Sequence, residues 1–175
     1  MDNILVLDFG GQYCHLIARR VRDLGVYSEI LPFDANIERI KDLEPKGIIL
    51  SGGPNSVYEK QSPKLNKDVY DYVIKKNIAL LGICYGFHLI IQHFEGKIEL
   101  KKSKEYGKTE LIIQKKNLLF EGLNNKEIVW MSHGDQVVNL PKHFEVYAKT
   151  ENCPIAAYGN NEKRCHNCQQ WALQR

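Results

Sequence analysis

Short runs of aliphatic residues alternate with longer mixed segments through the first half of the chain. These runs predict four buried β-strands, at residues 4–7, 26–31, 47–50 and 78–83. Apolar residues at helical spacing predict four helices, over residues 14–24, 37–43, 65–76 and 85–94. Strands that alternate with helices, and that are apolar on both sides, indicate a parallel sheet covered on both faces.

The second half has shorter apolar runs separated by turn residues such as Asn124 and Asn125. It predicts five further strands, at residues 98–101, 109–114, 128–131, 145–148 and 154–158. We expect these strands to extend the same domain in antiparallel pairing. The predicted fold class is therefore α/β: a flavodoxin-like open, mostly parallel sheet flanked by helices, with antiparallel additions in the second half.

Composition narrows the class of protein. The chain has 175 residues, of which 43% are hydrophobic and 26% charged, as expected for one compact soluble domain. The net charge of +3 is spread along the chain, so nucleic acid is not an expected partner. No apolar stretch approaches the ~20 residues of a membrane span, and the first residues lack the pattern of a signal peptide. We therefore expect a cytoplasmic protein without a membrane partner, with its five cysteines reduced.

Ligand sites in parallel α/β sheets lie beyond the carboxyl ends of the strands. Three segments take that position: a first loop at residues 8–13, a second loop at residues 51–58, and the turn at Cys84. This turn has the order strand, Gly82, Cys84, Gly86, helix, which is typical of a nucleophile on a strained elbow.

The elbow predicts chemistry for Cys84. A thiol at a helix N-terminus is favoured as thiolate by the helix dipole and by free N–H groups. The N–H of Tyr85, with a second donor from Gly52 or Gly53, would hold an oxyanion. Two alternatives stay open from spacing alone: a buried structural thiol, and an unrelated cysteine hydrolase on a similar sheet.

Four segments together resemble the class I (triad-type) glutamine amidotransferases, and among them the amidotransferase units of GMP synthetases. The segments are Asp8-Phe9-Gly10-Gly11-Gln12-Tyr13, Ser51-Gly52-Gly53-Pro54, Gly82-Ile83-Cys84-Tyr85-Gly86 and Trp130-Met131-Ser132-His133-Gly134-Asp135. The resemblance predicts an amidotransferase domain over residues 1–164 and a divergent tail over residues 165–175.

The resemblance implies that Cys84 attacks the carboxamide of glutamine, releases ammonia and forms a thioester that water hydrolyses. Gly53 and Tyr85 would line the oxyanion hole, and a loop at Ser132 and His133 would hold the amino-acid end of glutamine. Ammonia would pass to an ATP-pyrophosphatase partner that aminates XMP to GMP. ATP and magnesium belong to that partner; no cofactor and no metal are expected in this chain.

Two departures from the family pattern bear on activity. His88 stands where the family usually has a glutamine that binds substrate, which predicts weaker glutamine binding. After Arg164 the chain also lacks the family's Gly-Val-Gln-Phe-His-Pro-Glu run, which supplies the catalytic histidine and glutamate. The alternative function is therefore a catalytically impaired or inactive, amidotransferase-like binding subunit.

The same departure predicts that the last strand and helix of the domain are lost. It also places Cys165, His166 and Cys168 in a polar tail, where we expect neither a zinc site nor a redox pair. His166 is a weak candidate for a replacement base, because its spacing and neighbours do not match the family run. His133 is expected to shape its loop rather than to act as a base.

Overall fold

A computed structural model describes residues 2–160 and 165–168 of the chain. Its first half contains four parallel strands in the order β2-β1-β3-β4, namely β1 (Asn3–Asp8), β2 (Tyr27–Pro32), β3 (Gly47–Leu50) and β4 (Ala79–Ile83). Four helices connect or follow them, namely α1 (Cys14–Asp23), α2 (Ile37–Asp42), α3 (Lys67–Lys76) and α4 (Tyr85–His93). All eight elements lie where the hydrophobic pattern predicts them, within two residues at each end.

Local chemistry explains several of these boundaries. The Asn36 side chain accepts a hydrogen bond from the N–H of Glu38 at 2.9 Å, and the Asn66 side chain accepts one from Asp68 at 3.0 Å. Asparagine is a favoured residue at a helix start because it satisfies N–H groups that lack partners within the helix. Helix α3 ends at Asn77, whose left-handed backbone (φ 52°) is a common way to stop a helix.

The second half continues the same sheet with antiparallel strands. The added strands are β5 (Lys97–Ile113), β6 (Lys126–Asn139), β7 (Glu145–Lys149), β8 (Ala157–Asn160) and β9 (Cys165–Cys168). The full order is β2-β1-β3-β4-β9-β8-β7-β5-β6. The open, mostly parallel α/β sheet with antiparallel additions is therefore confirmed.

Three of the five strands predicted in this half were too short. Residues 98–101 and 109–113 belong to one strand of 17 residues, β5, and residues 128–131 are part of the 14-residue β6. The strand predicted at residues 145–148 agrees with β7, whereas the one predicted at residues 154–158 begins only at Ala157, as β8. The polar segments between the apolar runs are strand because β5 and β6 pair with each other along most of their length, with a register shift between Leu100 and Glu105. Pairing satisfies their backbone groups whatever their side chains are.

The prediction that the last strand is lost, with Cys165 and Cys168 in a polar tail, was wrong. Residues Cys165–Cys168 form β9, which is parallel to β4 and antiparallel to β8. This strand joins the two halves of the sheet, so backbone pairing on both sides outweighs a sequence that has little strand character. The predicted loss of the last helix concerns residues 169–175, which lie outside the described residues.

Both faces of the parallel strands are covered, as their apolar composition requires. Leu5 and Leu7 of β1 face a cluster with Leu50, Leu80 and Ile90, which α3 and α4 close. Val6 points the other way and packs on Cys14 and Ala18 of α1. Among the residues that the structure describes, no helix is long and apolar enough to cross a membrane.

Candidate active site

Cys84 occupies the turn between β4 and α4, as the sequence predicts. Its backbone has φ 53° and ψ −105°, a conformation that residues with a Cβ rarely adopt. Such strain persists only where the surroundings impose it, and it is concentrated at functional sites. The elbow lies at the carboxyl edge of the sheet, so the strand and the helix together fix where the sulfur lies.

Gly86 shows how the surroundings impose this turn. Its N–H donates to the carbonyl oxygen of Ser51 at 3.2 Å, which holds the first turn of α4 against the end of β3. A Cβ at position 86 would lie 2.5 Å from the Cβ of Leu50 and still closer to its carbonyl oxygen. Only glycine allows the helix to approach the strand this closely.

Two backbone N–H groups are directed at the sulfur of Cys84. They belong to Tyr85 and Gly53, and both lower the pKa of the thiol. Burial raises that pKa by more, and the nearby charge of Asp135 raises it further, so the net pKa lies above its ordinary value of 9.0. The resting thiol is therefore protonated at neutral pH, although two backbone N–H groups are directed at its sulfur.

Gly53 and Gly52 are held close to Cys84 by the second loop. A Cβ on Gly53 would lie 2.6 Å from the carbonyl oxygen of Phe9, so the first loop leaves room for glycine alone. A Cβ on Gly52 would lie 3.5 Å from the Cβ of Cys84, which places this residue directly beside Cys84. Tyr85 offers its backbone only, because its side chain is buried and its hydroxyl donates to Pro63 at 2.6 Å.

The predicted segments meet around one pocket of about 400 Å³. Its walls come from both loops, α1, the elbow and β6, and they consist of Gly10, Gly11, Gln12, Tyr13, Ile17, Gly52, Gly53, Pro54, Ile83, Cys84 and Ser132. The pocket has the size of a small-molecule site, and Cys84 lies in its wall. The expectation that the site lies beyond the carboxyl ends of the strands agrees with this geometry.

Ser132 and His133 lie on strand β6 and not on a loop, which corrects the expected setting of both residues. Successive residues of a strand point to opposite faces. Ser132 is exposed and lines the pocket, whereas His133 is buried, with its Nδ1 3.2 Å from the carbonyl oxygen of Asp135. Of these two predicted residues, the structure therefore brings Ser132 to the pocket wall.

His88 is buried one helical turn after Cys84. Its side chain is 5% exposed, and its Nε2 has no hydrogen-bond partner among the described residues. The pKa of His88 is lowered to about 4, chiefly by burial; the charge of Asp135 opposes this shift and His133 adds to it. The imidazole is therefore neutral at neutral pH, and His88 is not among the residues that line the pocket.

Sequence reasoning missed the side chains that hold the loops. Buried Ser51 accepts a hydrogen bond from the N–H of Phe9 at 3.0 Å and donates to Gly52 at 3.0 Å, so it ties the first loop to the second. The Ser56 hydroxyl donates to Asp135 at 2.7 Å and ties the second loop to β6. Serine beside a glycine-rich turn is the signal that could have suggested these roles.

Among the side chains that the structure describes, no other histidine lines the pocket of Cys84. His15 and His143 are exposed, and the ring of His93 stacks on that of Tyr70 with 3.7 Å between the ring centroids. His166 lies within β9, which ends opposite Ile83, next to the elbow. Gln169 follows this strand in the sequence. Among the described residues there is also no group of three or more histidine, cysteine, aspartate or glutamate side chains that could hold a metal ion.

Comparison with known proteins agrees with this geometry. The family described as glutamine amidotransferase class-I matches residues 5–170. GMP synthase [glutamine-hydrolyzing] of Lactobacillus johnsonii is 49% identical over 169 residues, which cover 96% of this chain and 32% of that protein. GMP synthase [glutamine-hydrolyzing] of Campylobacter jejuni is 51% identical over 162 residues, which cover 93% of this chain and 31% of that protein.

A solved structure from Thermoplasma acidophilum, provisionally described as one subunit of a GMP synthase, superposes with a TM-score of 0.81 at 29% identity. The match covers 98% of this chain and 83% of that one. The chain spans about a third of the length of the curated relatives it matches. The division of the domain at residue 164 stays a prediction, as do the individual roles of the site residues. The family match over residues 5–170, on the fold and the elbow described above, shows that the chain belongs to the class-I glutamine amidotransferases.

Proposed function

We propose that this chain is the glutamine-hydrolysing unit of a GMP synthase. The observation that supports the proposal best is the position of Cys84, strained on its elbow with the N–H groups of Gly53 and Tyr85 directed at its sulfur. This is the arrangement that attack on a carboxamide requires, because negative charge develops on the amide oxygen beside the nucleophile.

In the proposed reaction, glutamine enters the pocket with its carboxamide towards Cys84 and its amino-acid end towards Ser132. The sulfur bonds to the amide carbon, and the N–H groups of Gly53 and Tyr85 stabilise the oxyanion. The C–N bond then breaks, the nitrogen leaves as ammonia with the thiol proton, and a thioester remains. Water hydrolyses the thioester to glutamate and restores the thiol.

The remaining candidates take supporting roles. Gly52 borders the nucleophile without a side chain, so the substrate can approach the sulfur. His88 and His133 are buried and do not line the pocket, and His88 replaces the amide of the family pattern. Ammonia would be used by an ATP-pyrophosphatase partner that binds ATP and magnesium, adenylates XMP and aminates it to GMP.

The alternative of an impaired, glutamine-binding protein rests on a specific observation. The pKa of the Cys84 thiol is raised, chiefly by burial, and no histidine stands in the pocket wall among the described residues. A protonated thiol attacks slowly without a base to take its proton. The protein would then bind glutamine, but the elbow alone would not hydrolyse it efficiently.

One assay separates the two functions. Glutamate release is measured with this chain alone and with the ATP-pyrophosphatase portion of a GMP synthase plus XMP, ATP and magnesium. The matched control is Cys84→Ala. Release above the control in either setting supports hydrolysis. Release equal to the control in both, together with glutamine binding measured by calorimetry, supports the impaired, glutamine-binding protein.

A further inference from the structure

A long-range hydrogen bond joins the second loop to the antiparallel half of the sheet. The Ser56 hydroxyl donates to Oδ2 of Asp135 at 2.7 Å, although the two residues are 79 positions apart. Ser56 lies on the loop that carries Gly53, and Asp135 lies on the strand that carries Ser132. The bond therefore connects the oxyanion donor of the site with the strand that lines its opposite wall.

The neighbouring contacts show that this part of the loop is clamped from both sides. The Tyr58 hydroxyl donates to the carbonyl oxygen of Ile98 on β5. Gly53 lies against the backbone of Phe9, with room for no side chain. By contrast, the side-chain bond of Asn55 stays within its own segment, to Glu59 at 3.1 Å. Ser56 and Tyr58 thus reach across to the β5–β6 pair, whereas the Asn55 bond does not.

The acceptor of the Ser56 bond is also a charge that acts on the site. Burial is the main cause of the raised pKa of the Cys84 thiol and of Tyr58, and the charge of Asp135 raises both pKa values further. A hydroxyl bond to a carboxylate is stronger than one between neutral groups. The bond consequently holds one loop and one charge in a defined position relative to the sulfur.

We propose that Ser56 is a positioning residue for glutamine hydrolysis, which holds the Gly53 N–H in register with Cys84 by fastening the second loop to Asp135. The inference rests on the proposed function and names a residue outside the pocket wall. Ser56 acts through the loop and through Asp135. It has no direct role at the reacting atoms.

The kinetic test separates positioning from substrate binding. An oxyanion donor acts mainly in the transition state, so Ser56→Ala should lower kcat on the order of tenfold and leave KM within about twofold. Ser56→Thr keeps the hydroxyl and should retain most of the activity. Asn55→Ala, which removes a bond internal to the same segment, is the matched control and should leave kcat unchanged. Melting temperatures verify that each variant is folded.

A double-mutant cycle tests whether Ser56 acts through Asp135. Asp135→Ala breaks the same bond from its other end, so adding Ser56→Ala to it should change kcat by less than about twofold. A tenfold loss from Ser56→Ala in both backgrounds would overturn the proposal. So would a kcat of Ser56→Ala equal to that of wild type.

A second readout does not depend on turnover. A chloroketone analogue of glutamine places its carbonyl group beside Cys84, so its reaction also depends on the position of the Gly53 N–H. The maximal rate at which it labels Cys84 should fall in Ser56→Ala. Ser56→Thr should keep this rate, and Asn55→Ala should leave it unchanged. If the wild-type chain is labelled but releases no glutamate, hydrolysis is excluded and the labelling rates decide the role of Ser56. Equal rates for wild type and Ser56→Ala would overturn that role, and a wild-type chain without labelling would overturn both proposals.

Discussion

The backbone N–H of His88 donates a hydrogen bond to the carbonyl oxygen of Cys84 at 3.2 Å. This bond begins the ladder of α4 and places His88, whose imidazole is buried, one helical turn after the strained Cys84. Asp135 and His133 act electrostatically on the imidazole, yet its Nε2 has no hydrogen-bond partner among the described residues. A buried polar nitrogen without a partner lowers the stability of the fold.

His88 makes stability depend on pH. Its pKa is about 4 when folded and 6.5 in the reference state, so the unfolded chain takes up the proton first. The free energy of unfolding is therefore highest above pH 6.5, where the imidazole is neutral in both states. It decreases by about 3 kcal/mol in total as the pH falls towards 4. Urea unfolding between pH 7.5 and 4.5 measures this loss. His88→Gln should lack it, and equal pH dependence in both proteins would contradict the prediction.

His88→Gln should also improve binding of glutamine, if turnover occurs. A glutamine side chain carries both a donor and an acceptor, whereas the neutral imidazole offers one of each on opposite sides of a rigid ring. One added hydrogen bond of about 1 kcal/mol corresponds to a KM several-fold lower. Initial rates of glutamate release give the KM, with Cys84→Ala as the blank. An unchanged KM would mean that position 88 does not contact the substrate.

Cys84 should react slowly with iodoacetamide at neutral pH. Burial raises the pKa of its thiol above 9.0, and the thiolate is the reacting form. The alkylation rate, followed by mass spectrometry of the peptide that contains Cys84, should therefore continue to rise above pH 9. Cys14 provides an internal comparison, because burial raises its pKa to about 11 and it should react more slowly. A rate for Cys84 that levels off below pH 8 would contradict the prediction, because it would show that the site stabilises the thiolate.

Gly86→Ala should destabilise the fold. The added methyl group would collide with backbone and Cβ atoms of Leu50, so α4 must move away from β3. Overpacking of this kind costs about 1–3 kcal/mol and should appear as a lower urea midpoint with a similar slope. Gly52→Ala is the matched control for stability, because the added Cβ would lie 3.5 Å from the Cβ of Cys84, its nearest neighbour, and would not collide with it. Equal losses of stability in the two variants would contradict the collision.

The sequence by itself determined the parallel half of the sheet and the elbow. Runs such as residues 47–50 are apolar on both sides, and their bounds agree with β3 (Gly47–Leu50). Glycines on either side of Cys84 indicated the strained turn, because only glycine tolerates such close backbone approach. Local pattern and local backbone geometry carried enough information for these features.

Only the tertiary structure decided the antiparallel half and the back of the site. Residues 132–135 and 165–168 are strand because neighbouring strands satisfy their backbone groups, which no local pattern reports. The same pairing brings Asp135 to Ser56, His133 close to His88, and Ser132 into the pocket of Cys84. Contacts between residues far apart in sequence depend on strand order and register, and these are properties of the whole sheet.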